Sequence, residues 1–234
     1  MTDRVQRLYQ RINDTKQYPI CVEKMQIVTE AYKKNDGWPM IIRRARAGAE
    51  YLDRKTIFIE DDDPIAGNFA SRPMGMELGT YSPAWPEDDL QDLLADGRLT
   101  LTPEDHEVLR GLDDYWLDRG RTQAERQGSY YNDERLWPFI KRGYLCPPWT
   151  DRRRGRGYGT AGMGWGIGAG ATCLYCPDYG YILSKGVGSV IEEAKQRLLD
   201  IRFYNMEAIT KANFYKACLE IFPAMIRIAP RYAD

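Results

Sequence analysis

The chain has 234 residues, 43% hydrophobic and 29% charged, with a formal net charge of −1. That balance suits one large domain or two small ones and excludes disorder of the whole chain. It leaves no global field to recruit nucleic acid or an anionic membrane, and no run of about 18 apolar residues predicts a membrane span.

Residues 4–15 and 20–35 are predicted helices. In the second, Ile20, Met25, Ile27, Val28 and Tyr32 fall at helical spacing, and "KKNDG" ends it. Residues 39–54 predict a third helix opening on Pro39. "KTIFIE" (55–60) and "PIAGNF" (64–69) are β-type runs flanking the acidic turn Asp61, Asp62 and Asp63, and are predicted to pair as a small ribbon. Residues 71–86 are rich in Pro and Gly and predict irregular chain. "PEDDLQDLLADG" and "TPEDHEVLRGLDDYWLDRG" predict two helices with acidic starts. Residues 188–200 predict an amphipathic helix with Val190, Ile191, Ala194 and Leu198 on one face. Residues 205–229 predict a long last helix, with Pro223 as its point of kinking. The fold expected is mostly α with a small β-ribbon.

The motifs that suggest chemistry are weak. The one histidine, His106, stands in the first turn of a predicted helix behind Thr102 and Pro103. A chain with one His is a poor source of Ser-His-Asp catalysis or a multi-His metal site. "CLYC" (Cys173, Cys176) is a lone C-x-x-C with no second pair for zinc. The three aspartates at 61–63 lack the downstream glutamate of a calcium loop. Neither is expected to bind metal. Five cysteines, an odd number, and a charged N-terminus without a leader predict a reducing, cytoplasmic setting.

Residues 151–170, "DRRRGRGYGTAGMGWGIGAG", hold eight glycines and four arginines. Three readings compete. Gly157, Gly159 and Gly162 match a dinucleotide fingerprint, yet no strand precedes it and more glycine follows. Arg152, Arg153, Arg154 and Arg156 with Tyr158 and Trp165 suggest an RNA-binding segment, but the rest of the chain gives no basic support. The third reading is backbone that must lie close to a ligand or to another element.

A wider pattern resembles a family. A basic opening helix (Arg4, Arg7, Leu8) precedes "P-I-C-x-E-K" at 19–24 and "T-E-A-Y" at 29–32. "W-P" and "R-R-A" (43–45) follow, then "I-x-I-x-D-D", "I-A-G-N" (65–68) and "W-P-E" (85–87). "PDYGYILSKGVGSVIEEAKQRL" and "FYKACLEIFPAMIRIAPRYAD" continue the match. In this order the pieces resemble the N-terminal region of glycyl radical enzymes, the pyruvate formate-lyase-like superfamily.

The resemblance implies a helical portion of a ten-stranded α/β barrel, with 1–234 as an incomplete N-terminal region. Members are several times longer. They carry a thiyl-forming Cys and a radical-bearing Gly on loops that have no counterpart here, so no catalytic residue is expected in this chain. It implies no directly bound cofactor, but a radical installed by a radical-SAM activating enzyme on a glycine outside the chain. The implied partners are that activase, the remainder of the enzyme and a second copy in a homodimer, without nucleic acid or membrane. The glycine-rich stretch falls where members supply substrate-facing groups, which nominates Trp165, Gly166, Gly168, Cys173 and Tyr175 as substrate-binding. An aromatic, acid-poor lining tilts the implied reaction toward decarboxylation of an arylacetate-type carboxylate. Dehydration, C–S cleavage, fumarate addition and a non-catalytic partner-binding role remain open.

Overall fold

The computed structural model describes residues 2–77, 87–112, 115, 178–204 and 206–233. The chain divides into two compact units, one of residues 1–81, 96–109 and 178–234, the other of 82–95 and 110–177.

The first unit opens with α1 (Asp3–Asp14), whose N-cap Thr2 accepts from the Val5 amide. No α1 residue is buried. The helix is held by arginines: Arg4 Nε donates to the Asp62 carbonyl at 2.7 Å, Arg7 pairs with Asp62, and Arg11 pairs with Glu60. The acidic turn is therefore the dock for α1.

A three-stranded parallel sheet follows, ordered β2-β1-β3. Its centre is β1 (Tyr18–Cys21), flanked by β2 (Met76–Glu77) and β3 (Leu99–Thr100). The register sets Ile20 against Met76, Cys21 against Glu77, and Tyr18 against Leu99. Ile20 and Cys21 are fully buried. The helix expected from residue 20 starts instead at Glu23. A four-residue apolar run cannot be told from a helix start by periodicity, and here it is claimed by strands more than fifty residues away.

The expected ribbon of residues 55–60 and 64–69 is not formed; both runs are irregular. Their backbone groups are taken by other partners. The Thr56 amide donates to both Glu23 carboxylate oxygens, at 3.0 and 3.1 Å. The Thr56 carbonyl accepts from Asn68 Nδ2 at 2.8 Å, and the Asn68 amide donates to Tyr232 Oη at 3.1 Å. A ladder would have to displace all of these.

Helices α2 (Glu23–Lys34) and α3 (Met40–Arg54) pack together, burying Met25, Ile27 and Ala31 on one and Ile42, Ala47 and Ala49 on the other. Residues 103–112 form α5, capped by Thr102, whose Oγ1 accepts from the Asp105 amide at 3.1 Å. Helix α6 (Tyr179–Leu199) starts nine residues before the expected 188. Asp178 caps it, and Gly186 breaks it at φ 74° and ψ 161°. That left-handed break lets "YGYILSK" form its own helical segment ahead of the periodic part.

Helix α7 (Met206–Arg231) runs through Pro223 and packs on both α3 and α6. Its buried residues are alanines: Ala208, Ala212, Ala217 and Ala224. Small side chains bring the helices close, and Gly48 of α3 completes the fit. A Cβ there would lie 2.9 Å from Ile221 Cδ1. Ion pairs fasten the same crossing. Arg227 holds Asp53 through two bonds of 2.9 and 2.6 Å, and Arg46 Nε reaches Glu220 at 2.9 Å. Arg231 satisfies the terminal α3 carbonyls of Leu52 and Lys55.

In the second unit, the described part includes α4 (Glu87–Leu94) with Leu90 fully buried, and Leu112, also buried.

Candidate functional site

Trp165, Gly166, Gly168, Cys173 and Tyr175, with the arginine cluster and the C-x-x-C, lie outside the described residues. His106 lies where the sequence places it, in the first turns of α5.

Ionisable side chains gather at the C-terminal edge of the sheet. Parallel strands direct successive elements to this edge, where β1 ends at Cys21 and β2 at Glu77. Helix α2 begins two residues beyond Cys21. Its N-cap position is Val22, which has no side chain able to accept an amide. Glu77 supplies the missing cap from the neighbouring strand, its Oε1 accepting from the Lys24 amide at 3.0 Å.

Glu77 is only 6% exposed. Burial pushes its carboxyl up to about 7; the Lys24 and Ser71 amides and the Lys24 ammonium pull the other way, and Glu23 adds to the rise. Its Oε2 makes no hydrogen bond among the described residues.

Two lysines and three rings surround this edge. Lys24 Nζ lies 5.5 Å from the Tyr51 ring centre and 5.4 Å from that of Phe69. Lys55, itself buried, lies 5.7 Å from Tyr51 and 6.0 Å from Tyr232, and donates to the Asn68 carbonyl at 2.5 Å. Cations over ring faces are attracted by the negative face of the ring quadrupole. Burial drives the Tyr51 hydroxyl well above its ordinary range, so it stays neutral. Gly75 closes the edge: a Cβ there would meet Cys21 Sγ at 2.6 Å and the Arg72 carbonyl at 2.8 Å.

This cluster joins the sheet to α2 and to the chain after α3 through side-chain contacts. Cys21 is fully buried, and among the described residues its Sγ donates to the Pro19 carbonyl at 3.8 Å. No group of three or more His, Cys, Asp or Glu among the described residues is arranged to hold a metal ion. No helix among them is long and apolar enough to cross a membrane. Sequence reasoning missed Glu77, Gly75 and Tyr232, because nothing local marks residues whose partners are about fifty to 160 positions away.

Comparison with known proteins places this fold. The pyruvate formate lyase-like family model matches residues 1–234, so the chain belongs to that glycyl radical enzyme family and corresponds to its N-terminal region. It is similar to "Probable dehydratase YbiW" of Escherichia coli, 27% identical over 219 residues, covering 92% of this chain and 24% of the relative. It is 25% identical over 232 residues to (2S)-3-sulfopropanediol dehydratase of Klebsiella oxytoca, covering 98% and 26%. The solved B12-independent glycerol dehydratase of Clostridium butyricum, in its glycerol-bound form, superposes with a TM-score of 0.71 at 25% identity, covering all of this chain and 27% of that one. The chain thus spans about a quarter of the length of the curated relatives it matches. The barrel expected of a whole family member is not seen in the described residues, whose β structure is the small parallel sheet.

Proposed function

We propose that this chain is the N-terminal quarter of a glycyl radical lyase of the dehydratase type, acting on a small hydroxylated substrate such as a vicinal diol. The observation that carries this is the family match along residues 1–234, joined to relatives that are named as dehydratases. The arylacetate decarboxylation expected from the glycine-rich stretch gives way to dehydration, because the relatives named above are dehydratases.

In this reading the chain supplies scaffold. The joint at Glu77, Lys24 and Lys55 holds α2 and α3 rigidly to the sheet. Trp165, Gly166, Gly168, Cys173 and Tyr175 are its contribution to the substrate cavity. The cysteine and glycine that carry the radical belong to residues beyond this chain, and a radical-SAM activating enzyme installs the radical. The whole enzyme works as a homodimer in the cytoplasm.

The test is product chemistry. The whole polypeptide, activated anaerobically, is incubated separately with propane-1,2-diol, glycerol and an arylacetate. Loss of water from a diol, with aldehyde detected by a coupled alcohol dehydrogenase, is the expected result. Release of CO2 from the arylacetate with both diols untouched would overturn the reading.

A further inference from the structure

The turn joining α6 to α7 carries a concentration of large, exposed apolar side chains. Leu199 ends α6 at 79% exposure, and Phe203 and Tyr204 stand in the turn at 65% and 83%. Ile209, in the second turn of α7, is also exposed. Scattered exposed apolar residues are ordinary, but three within six positions at one elbow are not. The helices leave them there for a physical reason: α6 buries only Ala194, and α7 turns alanines inward, so the large side chains are left for another surface.

Polar groups flank the elbow. Tyr204 borders an open recess of about 550 Å3, lined also by Arg197, Asp200, Arg202, Glu207, Lys211 and Tyr215. Most of these charges are already matched within the chain. Arg197 pairs with Glu193, Lys211 with Glu207, and Asp200 accepts from Gln196. The Arg202 side chain makes no ion pair among the described residues. An aromatic centre, a spare arginine and a rim of satisfied charges is the make-up of a protein interface, not of a small-ligand cavity.

We infer that the elbow of Leu199, Phe203 and Tyr204 is the seat of the remainder of the polypeptide, the three quarters of the relatives' length that this chain does not match. This rests on the proposed reading of the chain as one quarter of a lyase. Its support is length: the match covers all of this chain, yet only 27% of the glycerol dehydratase chain. A quarter of a protein must present to the rest whatever apolar surface it does not bury itself.

The experiment places this chain in the glycerol dehydratase of Clostridium butyricum, in exchange for the quarter it matches. Leu199→Asp, Phe203→Asp and Tyr204→Asp are made both in that chimera and in the 234-residue chain alone. The expected result is a chimera that unfolds in one transition. Each substitution lowers its midpoint and speeds tryptic release of the N-terminal quarter, while the separate chain keeps its helical circular dichroism and midpoint. Unchanged midpoint and proteolysis in the chimera would overturn the elbow and leave the lyase reading standing. Loss of helicity in the separate chain would show that these side chains are internal. A dimer of the separate chain abolished by the substitutions, beside an insensitive chimera, would assign the elbow to a second copy instead.

Discussion

The Glu77 carboxylate accepts a 3.0 Å hydrogen bond from the Lys24 amide, so a residue of β2 caps a helix whose own N-cap position is Val22. The bond ties sheet and helix together through one buried ionisable group.

That group makes stability depend on pH. Its ordinary value of 4.5 is raised to about 7 in the folded chain. The folded state therefore binds the proton more tightly than the unfolded one. The stability this contributes is fully present below 4.5 and is lost as pH rises to about 7, beyond which it changes no further. Over that window the loss is on the order of 1–3 kcal/mol. Glu77→Gln keeps the acceptor for Lys24 and removes the titration. Urea unfolding at pH 5 and pH 8 should show a smaller difference for the variant; an equal slope in both proteins would contradict the assignment.

Gly75 tests the packing beneath this cap. With Cys21 Sγ 2.6 Å and the Arg72 carbonyl 2.8 Å from its added Cβ, Gly75→Ala should cost about 1–3 kcal/mol, the usual range for overpacking. Adding Cys21→Ala should recover only part, because the clash with the Arg72 backbone remains. Full recovery, or no initial loss, in a denaturant-unfolding cycle would argue against the geometry.

Gly48 poses the same question where the neighbour is softer. The atom met by its Cβ is the far end of Ile221, which can rotate away. Helix propensity favours Ala over Gly by about 1 kcal/mol and offsets the displacement. Gly48→Ala should be close to neutral, whereas Gly48→Val should lower stability by about 1–3 kcal/mol. The two midpoints, measured by thermal denaturation, should separate in that order.

Helix α1 should behave as an electrostatic latch. It buries no residue and is fastened by Arg4, Arg7 and Arg11 to the turn at 60–63. The Arg7 and Arg11 guanidiniums are held above their usual range, and Asp62 below its own, by these pairs. Exposed pairs weaken as salt shortens the screening length. Limited proteolysis across residues 15–17 should accelerate at molar salt, and Asp62→Asn should produce the same rate at low salt. Salt-independent cleavage would contradict the latch.

The sequence made the helices legible and the sheet illegible, for one reason. Helical periodicity and caps are local: Thr102 before Pro103 and the stripe of Val190, Ile191, Ala194 and Leu198 can be read within a single turn or two. The strand "YPIC" has no period of its own, and its partners at 76–77 and 99–100 are two residues long. The acidic turn was readable as a turn, but its role as a dock depended on arginines about fifty positions away. The ribbon failed because side chains of Glu23, Asn68 and Tyr232 claim its backbone. The family, by contrast, is legible from the order of short motifs, while the reaction implied by the resemblance and the acid-poor lining of the glycine-rich stretch is not the one in the names of the relatives reported above, which are dehydratases.

The central claim, that this chain is the scaffold quarter of a radical enzyme whose reacting groups lie beyond it, is tested most directly by electron paramagnetic resonance after anaerobic activation. The account predicts a glycyl radical doublet from the whole polypeptide and none from residues 1–234 alone. A doublet from the 234-residue chain by itself would contradict it.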